Sequence, residues 1–338
     1  GVEGQCGTVV MAREIALLDV DSKIPNLALM KLSGWHKDQG DKVVWYDELW
    51  QNTYDKIYAS TIFKFSDKSI LDESRMEIGG TGWDYETLLP PEIDKHFPDY
   101  SLYGYPHNLG FTMRGCRFRC KFCVVPQKEG KPYEENTIEE IWQQRQSNFV
   151  VLLDNDFFGN PNWGDRIDEI KKFDLTVNFL QGLNIRIITE EQAAALNSVR
   201  FSNINNTKPQ VHFAWDQFGK GTEKLIDQGI KLVTDAGIKP YQMAFYVLIG
   251  FNTTPEQDLY RVEKLRDYGC DPYAMPYDRS DPYQRRFTRW VNHKAIFKSV
   301  EWKDYQSANR AKKEQEEDMF NARGTTEQKN VRDAHGGT

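Results

Sequence analysis

Cysteine is scarce in this chain, five in 338 residues, and an odd count argues against a disulfide framework as the organiser of the fold. No apolar run approaches the roughly 18 residues that a membrane span requires. The start carries no basic segment followed by an apolar core, so a cytoplasmic location is expected. Positive charge is also short: 43 Lys and Arg against 50 Asp and Glu leave a net charge of −7. That balance argues against affinity built on blanket phosphate neutralisation and leaves only a local basic groove open. No internal repeat is present. A second C-x2-C or H-x3-H pair, which a structural zinc site commonly uses, is missing too.

What is present divides the chain by rhythm. Over the first hundred residues, short apolar runs surround one amphipathic segment. Strands are expected at Ile15–Val20, Val43–Tyr46, Ile57–Phe63 and Met76–Ile78, with a helix from Pro25, which opens it, to Gln39, which Gly40 closes. Gly79, Gly80 and Gly82 follow the last strand, where an open α/β sheet binds ligands, although a plain tight turn accounts for them as well. Pro90, Pro91, Pro98 and Pro106 place a linker without regular structure at about 88–106. Beyond it, strand-like runs at Leu109–Met113, Val150–Leu153, Thr176–Phe179, Val211–Trp215, Met243–Ile249 and Pro272–Met275 alternate with helix-length segments at Thr137–Gln146, Trp163–Phe173, Glu190–Leu196, Thr222–Ala236 and Pro255–Tyr268. The fold class expected is α/β: a small Rossmann-like open sheet over 1–104, a partial (β/α)6 barrel over 105–285, and a helical extension over 286–338. In that extension Trp290, Phe297, Trp302 and Tyr305 promise packing, and the run from Lys312 a solvated, disordered end.

The chemistry concentrates in Arg114-Gly115-Cys116-Arg117-Phe118-Arg119-Cys120-Lys121-Phe122-Cys123, a C-x3-C-x2-C triplet directly after an expected strand. Three thiolates on one loop suit three irons of a [4Fe-4S] cubane, whereas electron-transfer clusters use four cysteines. The open iron suits chelation by S-adenosylmethionine (SAM), whose reductive cleavage yields a 5′-deoxyadenosyl radical. A zinc-stabilised module that binds nucleic acid or protein is the rival, with His107 as the nearest further donor. A buried cysteine cluster fits worse, because Arg114, Arg117, Arg119 and Lys121 make poor core material.

The triplet, with Phe122 before the last cysteine, resembles the signature of the radical SAM superfamily over about residues 105–285. The resemblance implies a barrel of six strands and an electron donor such as flavodoxin or ferredoxin. It implies metal ligands Cys116, Cys120 and Cys123 and a cofactor contact at Phe122. Asp154, Asn155 and Asp156 occupy the place of a glycine-rich stretch that holds the SAM amino group, though a solvated loop or helix cap fits them too. Gln181 and Arg186 end the third strand, Arg186 being read either as a partner of the SAM carboxylate or as half of a structural ion pair. Asp216 falls where the family holds the ribose hydroxyls, or it caps the next helix. Gly250 and Thr254 lie in a stretch resembling the adenine-supporting motif without its first glycine, and Thr254 before Pro255 is equally a helix start. Tyr273, Met275 and Tyr277 end the sixth strand, facing ligand or core.

The amino-terminal unit resembles the cobalamin-binding-type domain of one branch of that superfamily, but the D-x-H-x-x-G signature is absent. His36 is read as a surface or packing residue, and cobalamin stays open. With only Cys6 in this region, a second cluster of the methylthiotransferase kind is not expected, and Cys270 reads as a small buried residue. The reaction is hydrogen abstraction or radical methylation. The substrate, whether nucleotide, RNA, peptide or small metabolite, is not readable from the residues.

Overall fold

The computed structural model describes residues 12–143 and 147–305. Cys6 and the polar run from Lys312 lie outside them. The fold is α/β with parallel sheets, and the chain divides into two compact units: 1–183 with 194–209, and 184–193 with 210–338. Among the described residues, no helix is long and apolar enough to cross a membrane.

The first unit opens with β1 (Glu14–Asp19), α1 (Leu27–Asp38), β2 (Lys42–Trp45), β3 (Lys56–Ser60) and β4 (Met76–Gly79), a parallel sheet in the order β2-β1-β3-β4. Pro25 stays outside α1; Asn26 opens the helix, its side-chain oxygen accepting the N–H groups of Ala28 and Leu29 at 3.1 and 3.2 Å. β3 stops before Phe63 because the Asp21 carboxylate takes the N–H groups of Ile62 and Phe63 at 2.7 and 3.0 Å. Gly80 and Gly82 do make a tight turn: a Cβ on either would meet the carbonyl oxygen of Thr61 at 2.2 Å or of Phe63 at 2.7 Å.

The stretch expected to be a linker is packed. It forms a short helix α2 (Pro91–Asp94), and it buries Ile93 and Tyr100. Proline excludes long helices but not a four-residue turn that starts on one. Tyr100 and Met30 of α1 then join Leu109, Phe149, Val151 and Leu153 in one apolar cluster, which ties the first sheet to the elements that follow.

Those elements are β5 (Asn108–Gly110), β6 (Met113–Arg114), α3 (Val125–Lys128), β7 (Tyr133–Glu134), α4 (Ile138–Ile141), β8 (Phe149–Leu152), α5 (Trp163–Lys172), β9 (Thr176–Phe179), α6 (Glu190–Asn197) and β10 (Arg200–Phe201). β10, β9, β8 and β5 form a second parallel sheet in that order, while β6 and β7 pair antiparallel. The single strand expected at Leu109–Met113 is thus two. The helix expected over Thr137–Gln146 turns out at Trp142, and 144–146 lie outside the described residues. β10 had no apolar run to announce it, so among the described residues the six parallel strands expected after residue 105 are seven.

The second unit contains β11 (Val211–Ala214), α7 (Thr222–Asp235), β12 (Met243–Ile249), α8 (Pro255–Asp267), β13 (Asp271–Pro276), α9 (Pro282–Asn292) and α10 (Lys294–Ser299), with a parallel sheet β11-β12-β13. In α7, Ile226, Gly229, Ile230 and Val233 share the buried face at helical spacing. Trp290, Phe297 and Trp302 stack edgewise and tilted on one another, as the aromatic spacing of this segment led one to expect.

Candidate functional site

The cysteine loop leaves β6 through Gly115, which has φ of +75° and faces the Lys131 carbonyl oxygen; a Cβ there would stand 2.5 Å from that oxygen, so no side chain is admitted. Cys116, Cys120 and Cys123 are each half-buried on this loop. The Phe118 N–H donates to Cys116 Sγ at 3.4 Å, and the Cys123 N–H donates to the Cys120 carbonyl at 3.0 Å, closing a turn that brings the last two thiols round. Burial pushes the Cys116 thiol up to about 11; the Phe118 N–H opposes this, and the nearby charges of Asp156, Cys123 and Cys120 add to it. Phe122 is half-buried between Lys121 and Cys123. Among the described residues, no three or more His, Cys, Asp and Glu side chains are gathered around a single ion position.

Asp154, Asn155 and Asp156, just past β8, all turn to this loop. Asp154 accepts the Thr112 N–H on both oxygens at 3.1 Å, the Thr112 hydroxyl at 2.6 Å and the Met113 N–H at 2.7 Å, which is why the strand breaks between β5 and β6. Burial raises its carboxyl to about 6 against those donors. Asn155 donates to Glu129 Oε2 at 2.8 Å, and the same oxygen accepts the Gly115 N–H at 2.8 Å. Arg117 donates from Nε and Nη2 to Asp156 Oδ2 and Oδ1 at 2.7 and 3.0 Å. Asp156 thus holds the loop itself, Asn155 reaches it through Glu129, and Asp154 holds the strand that leads into it. Glu129 was not foreseen: it is one acid among many, and its role depends on a partner 26 residues away.

Gln181 is exposed beyond the end of β9. The remaining cofactor candidates lie in the second unit. Arg186 contacts Asn184 Oδ1 through Nε at 3.3 Å and Gln217 Oε1 through Nη1 at 3.2 Å. Asp216 does not cap α7, whose N-cap is Gly221; its Oδ1 accepts the Leu248 N–H at 3.1 Å across β11 and β12. Burial raises its carboxyl, opposed by the Leu248 N–H and by the charges of Arg261 and Arg186. Thr254 caps α8 in a capping box with Gln257. Gly250 has φ of +76°, and a Cβ there would meet the Gln284 amide nitrogen at 2.2 Å. Tyr273 and Tyr277 are exposed.

Beneath them lies a buried ionic group not foreseen from the residues. Arg261, fully buried, donates to the carbonyls of Trp215 and Leu248 at 2.7 and 2.8 Å and to Asp258 Oδ1 at 2.6 Å. Asp258 also accepts the Gly250 N–H and the Thr253 hydroxyl at 3.2 and 2.7 Å. The signal existed: Asp258, Arg261, Val262 and Leu265 share one face of α8, so two charges stand on its apolar stripe.

No family model and no curated protein matches the chain. Among solved structures, dihydropteroate synthase from Clostridium difficile, solved in the presence of pteroic acid, is 12% identical over 78% of this chain and 75% of that one, with a TM-score of 0.27. A likeness that low carries no argument about fold detail or function.

Proposed function

We propose that the chain is a radical SAM enzyme in which Cys116, Cys120 and Cys123 hold a [4Fe-4S] cluster. The observation that supports the reading is three half-buried cysteines on one loop that leaves β6 and is pinned by Asp156 and Glu129. Their number, type and partial burial fit such a cluster, which when bound supplies an electron for the reductive cleavage of SAM. The chain's own groups do the rest. The loop amides hold the sulfurs, the Phe118 N–H donating to Cys116. The finer fold reading, a partial barrel, rests on the order of parallel strands and helices from β5 to β13.

Neither histidine of the first hundred residues offers an open ring nitrogen to a corrin cobalt. His36 is buried and bonded to Asp41 and Tyr58 at 2.7 and 3.1 Å, and His96 is bonded to the Phe97 carbonyl and Asp38 at 3.0 and 3.1 Å. No step is assigned to cobalamin.

Protein purified without oxygen is expected to bind roughly four irons with matching sulfide and to form 5′-deoxyadenosine from SAM and a reductant. Cys120→Ala should abolish both. Stoichiometric zinc without sulfide in the native protein, or full iron in Cys120→Ala, overturns the reading.

A further inference from the structure

The first turn after β8 carries more than a loop contact. Asp156 has a side chain only 4% exposed and gives both carboxylate oxygens to Arg117, a residue of the cysteine loop itself, 39 positions earlier in the chain. The Arg117 backbone N–H adds a longer contact to Asp156 Oδ2 at 3.4 Å. Arg117 is half-exposed, so the pair reaches from the interior to the surface beside Cys116. Gly159 backs it: a Cβ there would lie 2.2 Å from Asp156 Oδ2 and 2.8 Å from Arg117 Nε. The pair therefore closes only over a residue without a side chain. With Asp154 on Thr112 and Met113, and Asn155 reaching Gly115 through Glu129, the chain is held before its first cysteine, and Arg117 holds it after.

We propose that Asp156 and Arg117 are a positioning pair, closed over Gly159, that presets the cysteine loop and cancels charge beside its first thiol. The assignment rests on the cluster reading above and deepens it: the stretch after β8 shapes the metal loop, and Asp156 has both its oxygens committed to that task. Two consequences follow. An ordered loop presents its thiols without a separate ordering step, so loosening the pair changes how the metal-free thiols react. A bidentate pair is also electrically neutral. Remove Asp156 and an uncompensated guanidinium remains, which favours the more negative, reduced state of any cluster held there; remove Arg117 and a carboxylate remains, which disfavours it.

The test uses the full chain with Asp156→Asn, Arg117→Gln, the double variant, and Gly159→Ala, which displaces the pair and removes neither charge. In metal-free protein, alkylation of Cys116, followed by mass spectrometry, is expected to run several-fold faster in Asp156→Asn and Gly159→Ala than in the native chain, and slower in Arg117→Gln than in those two, because its unpaired carboxylate opposes the thiolate. In protein reconstituted with iron and sulfide, the midpoint potential is expected to move positive in Asp156→Asn, negative in Arg117→Gln, and back toward native in the double variant. Shifts of one sign in both single variants, or native alkylation rates in all of them, overturn the pair. A native chain that takes up no cluster overturns the functional reading instead, and the alkylation rates still judge the pair. Arg117→Gln, changed at a half-exposed position, keeps the comparison available if a buried substitution fails to fold.

Discussion

Single carboxylates set ends and breaks of elements that the apolar patterning does not show. Asp21 ends β3, Asp154 splits the strand expected at Leu109–Met113, and Asp258 anchors the chain past β12. Periodicity reports apolar residues; the carboxylates act through backbone N–H groups up to about 40 residues away, which no local window contains. Asp41 shows the same principle with a pH consequence. The Arg13 guanidinium holds its carboxyl down to about 2, against its burial and with help from His36. A carboxyl lowered in the folded state stabilises it above the unfolded value near 3.8 and loses that contribution as pH falls toward 2. The native chain should therefore resist urea better than Asp41→Asn at pH 5, with the gap closing by pH 2. A gap that persists in acid would show that the carboxylate is not its source.

At the scale of elements, the long apolar runs were the legible part. β9 and β12 begin and end where their residues imply, and α5, α6, α7 and α8 agree within a residue or so of each end. β10, only Arg200 and Phe201, was not legible, because pairing with β9 over two residues leaves no pattern to read. Helix α7 illustrates what a buried glycine does. A Cβ on Gly229 would sit 2.2 Å from the Ile185 carbonyl oxygen, so the helix lies directly on the 185–187 turn that carries Arg186. Gly229→Ala gains helix propensity but overpacks against backbone, and a net loss of about 1–3 kcal/mol is expected. Chemical denaturation measures it; a stabilised variant would mean the turn gives way freely.

Over the whole molecule, the cysteine loop was legible in the residues, but what holds it was not. The triplet Cys116, Cys120 and Cys123 stands out in the sequence, while the side chains that hold its loop are ordinary Asp, Asn, Glu and Arg residues whose task appears only once β8 lies beside β5. The cluster joining Met30 of α1 to Leu109, Phe149 and Val151 likewise binds the first sheet to the second within one unit. Met30→Ala should cost about 2–5 kcal/mol, and amide exchange should quicken together in β1 and β8. Faster exchange in β1 alone would mean that the two sheets open independently.

The order of synthesis gives the Arg117–Asp156 pair a last consequence. A ribosome releases the three thiols well before the residue that braces them, since Asp156 follows Arg117 by 39 positions. During that interval the nascent thiols are a slack segment, and their native spacing becomes available only after the turn beyond β8 has emerged. Whatever the thiols take up, they meet it in their native spacing only from that moment.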